Sequence, residues 1–381
     1  MVIISRSGRA VRGRHRRLPP RELSLWLRSA GRGLREPPRI LLAGKLTALA
    51  APGGGETQLL ALARELPETG VDARLWRPWE HRLSEARGLH LFGSEPEHLR
   101  VVQEARRLGL AVVLSPIAWF ALADCWREPR RLSWRLAAAG KFLVRASLPR
   151  LPSWRRRLYH AVDLLLPNSH AEAEQLERYF QVPAGRIRVV PNGAELRFAH
   201  GDPQPFARLV GGVGFVLYAG RIEPRKNQLT FLRAMRGTGV PIVVLGDVVP
   251  GHEDYLEACR RTADEHVRFV GRVGHDDPLL ASAYAACGCL ALCSWYETPG
   301  LVALEAGMSG VPLVLPQGGC AAEYFGDRAR YVQPEDERGI RAAVLAALQE
   351  GRNQELARLV QSRYTWRHAA QATRAAYAQI L

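Results

Sequence analysis

Two glutamates eight positions apart, Glu297 and Glu305, stand in the stretch YETPGLVALEAGMSGVPLVLP (296–316). Between them Thr298, Pro299 and Gly300 read as a loop running into a helix that begins near 300. The free backbone N–H groups of such a helix start suit phosphate oxygens. Glu297 then lies in the loop and Glu305 points from the second turn, so each carboxylate can accept from the paired hydroxyls of a sugar. Taken alone, Glu305 reads as one more solvated helical glutamate. A second group, Arg221, Arg225 and Lys226 in AGRIEPRKNQ (219–228), directly follows the apolar run GFVLY. Arginine offers a bidentate fork and lysine a mobile point charge for a diphosphate at a strand's carboxyl end. A third, Gly53-Gly54-Gly55, lets backbone approach a ligand closely. It is neither a GxGxxG fingerprint nor a P-loop.

The elements that must carry these groups alternate. RILLAG (39–44) reads as a buried strand, and the helix after the glycines carries Leu59, Leu62 and Leu66 on one face. VDARLW, LHLFGS and AVVLSP read as further strands, with EHLRVVQEARRLG a helix between the last two. DLLLPNS leads into the helix AEAEQLERYF, and IRVVPNG (187–193) closes the first half. Residues 200–212, with Gly and Pro at their ends, read as a linker. The alternation then restarts at GFVLYAG and runs through PIVVLG, VRFVG, CLALCS and PLVLP to about 362. YTWRHAAQATRAAYAQIL reads as one amphipathic terminal helix. This spacing predicts doubly wound parallel sheets with ligands at the strands' carboxyl ends. His90, inside LHLFG, reads as a core or turn histidine.

Charge is concentrated. The 381 residues carry a net charge of +16. Residues 1–38 hold ten Arg against two Glu, and residues 127–157 hold nine Arg and one Lys against one Glu, so the rest of the chain is near neutral. The first segment lacks periodicity and reads as mostly disordered. The second belongs to 117–157, where Trp119, Phe120, Trp126, Trp134, Phe142 and Trp154 are threaded among basic residues, with Leu132, Leu136 and Leu143 as apolar anchors. Trp beside Arg on an amphipathic segment predicts contact with an anionic membrane surface or a lipid acceptor. The other reading is a basic surface helix packed on its own domain. No continuous nucleic-acid footprint or recognition motif is present.

Six cysteines occur without an export signal at the start of the chain, which predicts reduced thiols in a cytoplasmic protein. CGCLALC (287–293) lacks a His or fourth Cys at ligand spacing, so no metal site is expected there. No apolar run reaches the roughly 18–20 residues a membrane span needs.

Taken together and in this order, the motifs resemble those of the family 4 retaining glycosyltransferases. GRIEPRKN is similar to that family's Gly-Arg…Lys motif, ETPGLVALEA to its Glu-seven-Glu pattern, and FVGRV (269–273) to its base-proximal loop. GGCAAEYFGDRARYVQPED, the PNS and PNG turns and YTW near 364 add to the resemblance, which covers roughly 39–381. It implies a GT-B fold of two Rossmann-like domains facing across a cleft. The acceptor domain would span 39–205 with the helix 363–381 packed back on it, and the donor domain would span 206–362. It implies that Arg221 and Lys226 hold the donor diphosphate and that Glu297 touches the transferred sugar. Glu305 would bind ribose, with Gly54, Gly55, Gly300, Leu301, Val302 and Arg272 around the donor. The donor would be a UDP- or GDP-sugar, with no cofactor and no metal. The acceptor would be a saccharide, lipid-linked, met near Trp119, Phe120, Trp126 and Trp134 in surface polysaccharide or glycolipid synthesis at the inner face of the membrane. Two departures stand out. The family's usual Glu-Gly-Phe-Gly is Glu297-Thr298-Pro299-Gly300 here, so Pro299 removes one N–H. SPIAWF lacks the His that many members place there. The same fold could also carry a non-catalytic nucleotide-sugar-binding or membrane-associated protein, or an epimerase, which would need acid and base groups in the cleft.

Overall fold

The computed structural model describes residues 39–45, 53–127, 132–298 and 300–381. The basic segment 1–38, Pro299 and the side chain of Trp126 lie outside the described residues.

Five short parallel strands form the first sheet: Ile40–Ala43 (β1), Ala73–Leu75 (β2), Gly88–Phe92 (β3), Ala111–Ser115 (β4) and Leu164–Leu165 (β5). Their order is β2-β1-β3-β4-β5. Six more form the second: Val216–Ala219 (β6), Ile242–Leu245 (β7), Val267–Gly271 (β8), Cys289–Ala291 (β9), Leu313–Pro316 (β10) and Arg330–Val332 (β11). Their order is β11-β10-β9-β6-β7-β8. Strands such as VLYA and IVVL are buried along their whole length, because helices cover both faces of each sheet. Among the described residues no helix is long and apolar enough to cross a membrane.

Helix Gly54–Glu68 shows how sequence becomes packing in the first half. Its start is fixed by Glu56, whose carboxylate accepts from the Gly53 N–H at 2.7 Å. Leu59, Leu62 and Leu66, three and four positions apart, are buried in one core. That core is completed from the other end of the chain. Helix Trp366–Tyr377 adds Trp366, Ala369, Ala370, Ala376 and Tyr377 to it. His90 is a core histidine: its ring nitrogens meet Tyr377 at 2.7 Å and Ser115 at 3.0 Å, and burial pulls its imidazole down to about 3.

The chain crosses between the halves twice, at 191–203 and again before Trp366. Ala194 and Thr365 form a bridge where the crossings touch. A Cβ on Gly193 would stand 2.2 Å from the Thr365 carbonyl carbon, so only glycine fits this contact.

One sequence expectation is corrected. The stretch 200–212 is not simply a linker: Gln204–Val210 is a helix that ends on left-handed Gly211. Phe206, Ala207 and Val210 enter the second half's core, and the Phe206 N–H donates to Ser282 at 2.9 Å. In 117–157 the helices Leu122–Arg127, Leu132–Ser147 and Trp154–Ala161 follow one another, with Leu132, Leu136 and Leu143 turned to solvent and not into the domain's own core. They stand 63%, 54% and 52% exposed, beside exposed Val144, Leu148 and Leu151. Ala139, Phe142 and Ala146 face inward in their place.

Candidate active site

In the second sheet the strand order reverses between β6 and β9, and the loops leaving their carboxyl ends share one place. After β6 the chain makes a tight turn, Pro224–Lys226, closed by left-handed Asn227. The Asn227 amide donates to the carbonyls of Cys293 and Pro334 at 2.9 and 2.7 Å, and the Tyr218 hydroxyl donates to that of Lys226. These bonds fix where Lys226 points. Its ammonium donates to Glu297 Oε1 at 2.5 Å, and Ser294 donates to the same oxygen at 2.5 Å. The pair is almost fully buried. Burial raises the Glu297 carboxyl, but Lys226 and Arg225 more than offset it and hold it below its ordinary range. Burial pulls the Lys226 ammonium down, with Glu297 pushing back.

Arg221 and Arg225 share Glu223, at 3.3 and 3.0 Å. Arg225 also lies over the Tyr296 ring at 5.4 Å, and Tyr296 stacks on Trp119 of the first half at 6.3 Å. Arg221 reaches the other half as well, since a Cβ on Gly53 would lie 3.7 Å from its guanidinium. A Cβ on Gly54 would lie 3.7 Å from Leu301, the first residue of helix Leu301–Met308. Two helix starts therefore adjoin each other and the basic turn, a place where backbone N–H groups and guanidinium favour an anion. Gly300, at φ +81, opens the second of these helices, and Val302 lies partly exposed in its first turn.

Glu305, on the same helix, is buried. Tyr284 donates to its Oε2 at 2.6 Å, and His275 Nδ1 lies 3.6 Å from its Oε1. Burial raises this carboxyl, with His275, Tyr284 and Arg197 opposing. His275 Nε2 in turn lies 3.3 Å from Glu195, which also binds Arg64 at 2.7 Å and Arg197 at 2.6 Å. Glu195, His275 and Asp276 gather ligand-type atoms within 4.8 Å. Since two guanidiniums already neutralise Glu195, the grouping reads as an ion network.

The first half contributes the loop after β4. Ile117 sits at φ +48, a conformation costly for a β-branched side chain. Glu172 accepts from Ala118 N–H at 2.7 Å and Gln175 from Phe120 N–H at 2.8 Å, which holds the loop in that shape. Glu172 is itself buried, and burial pushes its carboxyl up to about 7 against the backbone bonds that lower it. Ile117 stands in the stretch SPIAWF, which carries no histidine. Its Cδ1 would be 3.2 Å from a Cβ on Gly55, which explains a small residue there.

The structure thus gathers Gly54, Gly55, Arg221, Lys226, Glu297, Gly300, Leu301, Glu305 and Trp119. Arg272 is exposed just past the end of β8. Phe120 is partly buried, packed on the edge of the first half's core against Tyr179 and Phe180, with Arg155 over its ring. Trp134 is exposed on helix Leu132–Ser147. Sequence reading missed Ser294, Tyr284, His275, Glu195, Glu172 and Glu323. The last accepts from the His170 and Ala171 N–H groups, both at 2.7 Å, and so caps a first-half helix from the second half. Ser169-x-x-Glu172 carries a readable capping-box signal. Tyr284, His275, Glu195 and Glu323 show no local signal, because the contacts that tie them across the fold span 21 or more positions, whereas Ser294 stands only three residues before Glu297.

Solved structures that superpose on this chain are two-domain GT-B proteins. Sucrose-phosphate synthase of Thermosynechococcus elongatus aligns with a TM-score of 0.69 at 19% identity, over 90% of this chain and 99% of that one. Anabaena Alr3699/HepE, solved with UDP and glucose, aligns at 0.65 and 16% identity, over 90% and 100%. In sequence, a profile described as glycosyltransferase family 4 matches residues 52–198, and one described as glycosyl transferases group 1 matches 214–350. This chain belongs to that family. It is 28% identical to O-antigen chain mannosyltransferase B of Escherichia coli over 243 residues, 58% of this chain and 63% of that protein. It is 31% identical to D-inositol 3-phosphate glycosyltransferase 2 of Catenulispora acidiphila over 208 residues, 49% and 48% of the two. The chain spans about half to two thirds of the length of these relatives.

Proposed function

We propose that this chain is a glycosyltransferase of hexosyl type that moves a sugar from a nucleoside-diphosphate donor with retention and without a catalytic metal. The observation that carries the reading is the buried Lys226–Glu297 pair at the sheet's switch point, with Arg221 and two helix starts beside it. In this reading the acceptor hydroxyl oxygen bonds to the anomeric carbon on the face from which the diphosphate oxygen departs. Its proton passes to that leaving phosphate oxygen. Arg221, Lys226 and the backbone N–H groups offset the charge that develops there. Glu297 receives hydroxyls of the transferred sugar and Glu305 those of the ribose. UDP- and GDP-sugars are the donor candidates, and the relatives favour a saccharide acceptor in surface polysaccharide synthesis.

Thermal unfolding against UDP, GDP, ADP and their sugars tests this. A ligand at 100 times its dissociation constant stabilises by about 2.7 kcal/mol. One nucleotide is expected to raise the melting temperature, and Lys226→Ala and Glu305→Ala are expected to lose that rise while still folding. Folded protein that responds to none of them overturns the reading.

The same proposal places the chain at an anionic membrane surface on the cytoplasmic side, where it would meet a lipid-linked acceptor. Exposed Leu136 and Leu143 lie on a helix that also carries Lys141 and Arg145, the pattern of an interfacial helix. Sedimentation with anionic phospholipid vesicles is expected to capture the chain. Leu136→Asp combined with Leu143→Asp is expected to release most of it. Equal capture of both proteins counts against this surface.

A further inference from the structure

One imidazole stands between two carboxylates that belong to different parts of the chain. His275 Nε2 lies 3.3 Å from Glu195 Oε1, and its Nδ1 lies 3.6 Å from Glu305 Oε1. A neutral imidazole donates from one nitrogen and presents a lone pair at the other. Placed here, it would aim that lone pair at an anion. The doubly protonated ring presents an N–H to both.

The surrounding charges agree. Facing His275 are Asp276 from its own loop, Glu195 and Arg197 from the segment joining the halves, and Glu305 from helix Leu301–Met308. Arg64 of helix Gly54–Glu68 reaches the group through Glu195, and Tyr284 through Glu305. Three carboxylates meet two guanidiniums, and one positive charge on His275 brings the cluster to neutrality. Arg197 also bonds the His275 carbonyl and covers the Phe198 ring at 4.2 Å, and that ring meets His275 edge-on at 5.8 Å. The imidazole is thereby fixed in place.

We propose that His275 is a positioning residue of the donor site, holding the Glu305 carboxylate for the donor's ribose hydroxyls and tying it to Glu195 on the segment that joins the two halves. The inference rests on the donor-site reading above and goes beyond it. Ribose binding at Glu305 is felt, through His275 and Glu195, by Arg64 in the first half. The Glu195 hydrogen bond raises the His275 imidazole above its ordinary 6.5, with burial opposing. A group raised in this way keeps the bridge at low pH and loses it as pH rises through the raised value.

The test is calorimetric binding of UDP-glucose and GDP-mannose, with donor KM and kcat, from about pH 6 to about pH 9, where these donors carry no titrating phosphate and imidazole does titrate. Wild-type affinity is expected to fall about tenfold across that range, a coupling of ordinary size. His275→Gln is expected to bind at the low end as weakly as wild type at the high end, with a flat profile, a raised KM and kcat within about threefold at saturating donor. Glu195→Gln keeps the imidazole, and so is expected to shift the fall to lower pH even if His275→Gln does not fold. Flat wild-type affinity, or wild-type affinity and slope in His275→Gln, overturns the proposal. Glu305→Ala separates the two levels: donor binding like wild type in that variant overturns the donor-site reading itself. Loss there, with a normal His275→Gln, removes only the role of His275.

Discussion

Lys226→Ala is expected to reduce kcat at saturating donor by about 10²–10³, as removal of a charge aimed at a developing anion does elsewhere. The same substitution leaves Glu297 buried beside Ser294 without its ammonium partner. Breaking a buried pair from one side costs about 3–5 kcal/mol, because the remaining charge stays out of water. Urea unfolding and steady-state turnover separate these two effects. Replacing both partners, Lys226→Met with Glu297→Leu, is expected to recover most of the stability and none of the turnover, since the unpaired charge is gone and the donor contacts with it. A double variant as unstable as Lys226→Ala would mean that the pair does not carry the cost. Turnover in either protein near wild type would remove Lys226 from the chemistry.

Gly319→Ala is expected to be nearly as damaging for a different reason. Gly319 has φ +104 and pairs with Glu297 as an isolated bridge. A Cβ there would lie 2.0 Å from the Glu297 carbonyl oxygen and 2.7 Å from its nitrogen, both backbone atoms that cannot swing aside. The expected loss is about 4 kcal/mol, in the range reserved for named structural faults. Any protein that still folds is expected to turn over poorly, because Glu297 must shift. Gly351→Ala is the matched control. It also has positive φ, at +69, but a Cβ there meets nothing within 4 Å. Its cost is expected to stay at about 1–3 kcal/mol, the backbone strain alone at φ +69 and ψ −168. Equal urea midpoints for the two variants would show that the contact with Glu297 does not matter.

Much of this was legible because it is local. A run such as GFVLYAG declares a buried strand by apolarity and its closing glycine, and ARELPETG declares a helix end. The Glu297–Glu305 spacing and the basic turn at 221–226 lie beside the strands that place them. What sequence hid depends on contacts made at a distance. His275 and Glu195 are 80 positions apart, and Lys226 and Glu297 are 71 apart. The packing of Phe120 was hidden for the same reason: Tyr179 and Phe180, which it meets, come from a helix about 60 positions further along. Helix Gln204–Val210 hid behind Pro203 and Gly211, whose turn-like signals outweighed a single burying pair, Phe206 and Val210.

The terminal helix bears on how the molecule is made. The His90–Tyr377 hydrogen bond spans 287 positions, and Leu59, Leu62 and Leu66 share their core with Trp366 and Ala370. During synthesis the first half emerges with that leucine face uncovered, and it stays so while the whole second half is translated. The second half needs no such wait, since its core is built from residues between Ala194 and Val360. The half that begins first therefore finishes last. On the ribosome it is the half most in need of a chaperone.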